Sequence, residues 1–391
     1  MRTLERGKTR ESLEKSISRV IAAYGFSMPP ISLSRKTVSD IDVDQKTGTA
    51  IALLQQVPKK VVVPVPVEVK PGTGGHTAKV PLLSVGAVQL WGSSKNAHGT
   101  TLSFAVTGTK HAIGNALIVK TALSIAELSG FKESAVLVSS IGDSESKKRF
   151  TRELTNFFKK QHDQIPSDVK ARAHHDPDGV YRELLSRKDP FIERAPRAID
   201  FLSENSRKLM LDTLSFFESV GLSYTIDARL HGEAGVHGEL VFAIEASDKS
   251  GARVRVASGG RFDADAKKHW GMQWESATAI SIAIPKNIRA DEADREPHCF
   301  VVHVGDAAKL KAFTLLEALW RSHISVAQAF LSENFREQIE KGKTSGTKYL
   351  AIIGQREALD KTVIVRNTTT QLQVTLPLEK LEGYVMRGAR A

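Results

Sequence analysis

With 391 residues, 41% of them hydrophobic, the chain is long enough for two or three domains and apolar enough for buried cores, which excludes a disordered polypeptide. Its formal charge of +11 favours a polyanionic partner, since neutralised phosphates release counterions. The single cysteine excludes an internal disulfide and a multi-cysteine zinc site; no apolar run approaches the roughly 20 residues that span a bilayer, and the charged opening Met1-Arg2-Thr3-Leu4-Glu5-Arg6 is not a signal peptide. A cytoplasmic protein without membrane contact is expected.

Along the chain, Leu13, Ile17, Val20, Ile21 and Tyr24 recur at helical spacing over 9–24, and Gly25-Phe26 with Pro29-Pro30 end the helix. From 50 to 92 the β-branched run Val61-Val62-Val63 lies among prolines and glycines, predicting irregular or edge strands. Leu117, Ile118, Ala122, Ile125, Ala126 and Leu128 form the apolar face of a helix over 116–131, closed at Gly130. A strand, Ala135-Val136-Leu137-Val138, runs into the turn Ser140-Ile141-Gly142-Asp143. The block 144–190 reads as charged and helical, and a long helix ends at Val220. Alternation predicts antiparallel strands over 239–246, 253–258 and 277–284.

After an acidic linker, Asp291 to Glu296, the pattern changes to strand (Phe300–Val304), helix (Ala307–Arg321), strand (Ser325–Ala329), helix (Phe335–Lys341) and strand (Tyr349–Ile353). That order predicts a parallel sheet with covering helices, and Val363–Arg366 and Leu372–Leu376 add strands. Cys299, beside Phe300-Val301-Val302, reads as a buried strand thiol. Residues 298–391 hold 13 Lys and Arg against 9 Asp and Glu.

Several segments together resemble the histidyl-tRNA synthetase family of class II aminoacyl-tRNA synthetases. They are the strand ending in Ser140-Ile141-Gly142-Asp143; Ala195-Pro196-Arg197-Ala198-Ile199-Asp200-Phe201-Leu202; Gly221-Leu222-Ser223-Tyr224 with Asp227-Ala228-Arg229-Leu230; Gly259-Gly260-Arg261-Phe262-Asp263; and Ile353-Gly354-Gln355-Arg356-Glu357 with Arg366 and Gln371. The resemblance covers roughly 105–385. It implies an α+β fold with a class II antiparallel sheet and flanking helices over 1–290, a helical insertion at about 144–194, and a C-terminal α/β anticodon-binding-type domain over 298–391. It also implies a homodimer built on the first helix and tRNA as partner, with Arg356, Arg366, Lys341, Lys343 and Lys348 as candidate RNA contacts. A protein partner is the other option.

The family's chemistry rests on arginines that grip ATP phosphates. The stretch matching its second motif, Gln89 to Phe104, contains no arginine. Thr107 and His111 stand where a Gln and a Glu would meet the amino acid and ATP; Lys110 and His111 read as exposed turn residues, with an anion contact as the alternative. Gly232 replaces the arginine of the histidine-specific loop, and Val236 and His237 its tyrosines. Ala279 and Ala283 replace glycines on the ATP floor, with Lys286 or Arg289 as remnants of the last arginine. His231, Glu233, His237 and Glu239 lack the spacing of a zinc helix, so no metal is expected. Gly259 to Asp263 is a substrate-pocket remnant that a structural role alone would explain. The sequence therefore reads as a synthetase-like protein without aminoacylation or cofactor. The alternatives are an active histidine ligase using ATP and Mg through a rearranged site, and a regulatory subunit of ATP phosphoribosyltransferase.

Overall fold

The computed structural model describes residues 2–27, 88–96, 99–231, 239–248, 250–261, 263, 276–285 and 297–390. Helix α1 (Arg2–Ala23) precedes a hairpin of β1 (Val88–Asn96) and β2 (Gly99–Thr107), then α2 (Ile113–Leu128) and β3 (Lys132–Ser140). A helical run follows: α3 (Ser144–Lys160), the single turn α4 (Ser167–Lys170), α5 (Pro177–Ser186) and α6 (Glu204–Ser219). The strands β4 (Tyr224–Ile226), β5 (Leu240–Ser247), β6 (Arg253–Arg261) and β7 (Ala277–Ile284) complete a seven-stranded sheet in the order β1-β2-β7-β6-β5-β3-β4. Every pair is antiparallel except β3 with β4, which is parallel. Of the strands expected over 50–92, only the last residues, from Val88, fall within the described chain, where they open β1.

The sequence explains the local order. α2 is apolar nearly all round, Ile113 through Ala126 being buried, because one flank lies on β2 and β7 and the others meet α1 and α6. α3 begins at Asp143, whose carboxylate accepts the Ser146 N–H at 2.9 Å. Ser203 caps α6 and donates its hydroxyl to the other Asp143 oxygen at 2.7 Å, so two helix starts share one acid.

The second sheet contains β8 (Cys299–His303), α7 (Asp306–Arg321), β9 (Val326–Gln328), α8 (Phe335–Thr344), β10 (Tyr349–Ile353), α9 (Gln355–Asp360), β11 (Thr362–Asn367), β12 (Gln373–Pro377) and α10 (Leu381–Arg390). Its order is β12-β11-β10-β8-β9. The expected parallel arrangement holds for β9, β8 and β10, whereas β11, reached through the short helix α9, and β12 return antiparallel, neither connection being long enough for a crossover. Cys299 is buried on β8, and burial pushes its thiol up to about 12.

One hydrophobic cluster runs through both halves, joining Val20 and Tyr24 of α1, Leu117 of α2, Phe216 of α6 and Phe313 and Leu316 of α7. A second lies beneath the helical run, with Phe150, Leu154, Phe158, Tyr181 and Leu184 against Val241 and Ala243. The apolar stripe of α1, expected at a dimer contact, is spent inside its own chain: Ile17, Val20 and Tyr24 have no exposed surface.

Candidate functional site

Strand alternation gives the large sheet two unlike faces. Val106 and Thr278 lie beneath α2, close to Gly114. On the opposite face Thr101, Ser103, Ala105 and Thr107 of β2 pair with Ala283, Ser281, Ala279 and Ala277 of β7, and Ser258 and Gly260 of β6 follow. The floor thus carries only hydroxyls, methyls and a glycine. Ser103 and Ser281 share a hydrogen bond of 2.8 Å. Thr107 is buried, and its hydroxyl has no partner among the described residues.

The Gly259–Asp263 remnant ends β6 beside this floor. A Cβ on Gly259 would stand 2.2 Å from the Ala279 carbonyl oxygen, and one on Gly260 2.4 Å from that of Leu240. Close strand approach therefore requires both glycines, as a structural role predicts. Arg261 is 3% exposed and donates Nε–H to Asp263 at 2.9 Å; the other Asp263 oxygen accepts the Ala277 N–H at 3.0 Å. Burial raises the Asp263 carboxyl against the opposing pull of Arg261, and burial followed by the Asp263 charge raises that of Glu239. This buried guanidinium is committed to a neighbouring carboxylate.

Phe262, Lys286, Arg289, His98 and the loop from Gly232 to His237 lie outside the described residues. β1 and β2, which carry the stretch that the sequence matches to the second motif, pair from Val88 with Thr107 to Asn96 with Gly99. Only two residues connect them, a length that suits a tight hairpin and provides no extended basic loop.

His111 departs from the exposed turn expected for it. Its side chain is 25% exposed, and Nε2 lies 3.0 Å from Asp306 Oδ1 at the start of α7. Nδ1 accepts the Ile113 N–H at 3.1 Å, which places the ring proton on Nε2, facing Asp306. Burial, then the charge of Lys309, lowers the His111 pKa; the histidine hydrogen bond lowers that of Asp306. Lys309 is fully buried and pairs with Glu333. Beside it His303, 1% exposed, has no partner for either ring nitrogen among the described residues, and burial pushes it down to about 4.

A second junction went unnoticed in the sequence. Glu317 of α7 accepts the Tyr24 hydroxyl and pairs with Lys120 of α2 at 3.0 Å, both partners of that ion pair being under 8% exposed. Burial, reinforced by Glu317, raises the Tyr24 phenol and keeps it a donor. Only a lysine without an acid one turn away, in a mostly apolar helix, could have signalled a distant acid.

The candidate RNA contacts divide. Lys341 pairs with Glu337 at 2.6 Å, Lys343 with Glu340 at 2.9 Å and Arg356 with Asp360 at 3.4 Å, all within one helical turn. Lys348 Nζ stands 5.9 Å from the Tyr349 ring centre. Arg366 of β11 is half-buried, and its Nε has no partner among the described residues. It lies opposite Gln373 on the exposed edge strand β12.

Residues 298–387 match the Anticodon binding domain family. A domain of that family thus follows the seven-stranded, mostly antiparallel sheet. The chain is 24% identical over 279 residues to Histidine--tRNA ligase of Geobacillus kaustophilus, covering 69% of this chain and 65% of that one. It is 24% identical over 280 residues to the Bacillus subtilis enzyme, at 70% and 66% coverage. The matches span just under two thirds of these relatives. Among solved structures, apo histidyl-tRNA synthetase of S. aureus aligns with a TM-score of 0.41 and 22% identity, covering 79% of this chain and 78% of that one. An ATP phosphoribosyltransferase regulatory subunit/histidyl-tRNA synthetase from Bacillus halodurans aligns with a TM-score of 0.42 and 13% identity, covering 90% of this chain and 94% of that one. Beyond residues 298–387, the chain is similar to histidine--tRNA ligases at this low identity.

Proposed function

We propose that this protein binds tRNA through its anticodon-binding domain and does not activate histidine by the family's mechanism. The observation that carries the reading is the β1–β2 hairpin, joined by two residues and arginine-free from Gln89 to Phe104. Adenylate formation depends on fixed cations at the α-phosphate, and removing such preorganised charge costs roughly two to three orders of magnitude in rate. The buried Arg261 cannot substitute, because turning toward a nucleotide would strand Asp263. On the RNA side, the match of residues 298–387 to the Anticodon binding domain family supports the reading, with half-buried Arg366 beside the exposed β12 edge as a candidate contact.

The test is histidine-dependent ATP–pyrophosphate exchange on purified protein, run beside filter binding of total tRNA at two salt concentrations. The expected outcome is exchange at background with tRNA binding that weakens steeply with salt. Exchange well above background would establish a rearranged ligase, and no tRNA binding would replace RNA by a protein partner.

A further inference from the structure

The segment 108–112 is held at both ends by different halves of the molecule. At one end the Gly108 N–H donates to the Ser276 carbonyl at 3.1 Å, and the Ser276 hydroxyl donates to the Thr109 carbonyl. Ser276 precedes Ala277, whose N–H holds Asp263 at 3.0 Å, while Asp263 braces Arg261 at 2.9 Å. Lys110 also acts electrostatically on Asp263. At the other end the His111 N–H donates to Thr109 Oγ1 at 3.1 Å, and the ring reaches Asp306 of α7 at 3.0 Å. The same ring packs edge-on against Phe216, with centroids 5.8 Å apart, and Phe216 stands 5.8 Å from Phe313 of α7. A continuous series of bonds therefore runs from the Arg261–Asp263 brace to the first turn of α7, the helix with which the anticodon-binding domain meets α6.

We infer that residues 108–112 couple the Arg261–Asp263 pocket to the anticodon-binding domain, so that a change at the pocket alters RNA affinity through His111 and Asp306. The inference deepens the tRNA-binding reading and rests on it for the RNA partner. Its physical basis is the sharing of one short segment: displacing Asp263 releases Ala277 and Ser276, frees Thr109, and moves the imidazole that Asp306 requires. Packed interiors transmit such displacements because they do not deform continuously.

The test uses the full chain and the variants Asp263→Asn, Asp306→Asn and the double substitution, each checked for folding by circular dichroism. Ser276→Ala, which deletes one hydroxyl of the series, replaces Asp263→Asn if that variant unfolds. Filter binding of total tRNA is expected to shift about fivefold in the pocket variant, the lower range of measured coupling between sites. The double variant should shift by less than the product of the single effects. Amide exchange across 306–321 provides an independent arm: the pocket variant should lose protection at the first bonded amides of α7, from Lys309 onward. An unchanged tRNA affinity in the pocket variant, effects that multiply, or unaltered exchange in α7 would overturn the inference. Absence of tRNA binding by the wild-type protein would instead defeat the RNA reading, and the exchange arm would still decide the coupling.

Discussion

His303 shows what burial does to a single titratable group. The unfolded side chain takes up a proton near pH 6.5, whereas in the folded protein, beside buried Lys309, uptake waits until about 4. Between those values the unfolded state holds the extra proton, so stability present above pH 6.5 declines as pH falls and levels off below about 4. The loss is about 3 kcal/mol at one pKa unit per 1.36 kcal/mol. Urea melts at intervals from pH 7 to 4 should show that slope, reduced in His303→Phe. His111, depressed in the same direction, adds to the decline, while Asp306, held low by His111, keeps its charge over most of the window. Arg261 makes a related point: within a segment that the sequence leaves open between pocket remnant and structural role, it is buried and bonded to Asp263.

Among elements, β6 is the most tightly constrained. Gly259→Ala would put a methyl into the Ala279 carbonyl, where neither strand can yield without breaking the β6–β7 ladder. A loss of roughly 3 kcal/mol is expected, the upper part of the overpacking range, measurable as a lowered urea midpoint. The strands themselves were legible, because alternation in 277–284 and 253–258 has the sheet period. The helix α7 was legible to within one residue from its apolar spacing. The turn to antiparallel pairing at β11 and β12 was not, since a strand's apolar content does not specify its direction. Nor was the setting of His111, for its partner lies 195 positions away and no local pattern distinguishes an exposed turn from an interface.

For the molecule as a whole, one apolar cluster spans both sheets, and the contact of α7 with α6, α2 and α1 adds the buried ion pair of Lys120 with Glu317. Two units sharing a core should unfold together. Far-ultraviolet circular dichroism and tryptophan fluorescence are therefore expected to report coincident denaturation curves; resolved transitions would show that the anticodon-binding domain detaches first.

Tyr24, near the beginning of the chain, and Glu317, in its last quarter, meet at one buried carboxylate with Lys120. That meeting bears on modularity. A C-terminal fragment cut at the linker would carry Glu317 into water together with the bare apolar side of α7, and the remainder would keep Lys120 and Tyr24 enclosed without their acid. Unlike a detachable adaptor, the C-terminal domain is a wall of the same house, and evolution could discard it only by rebuilding the room behind it.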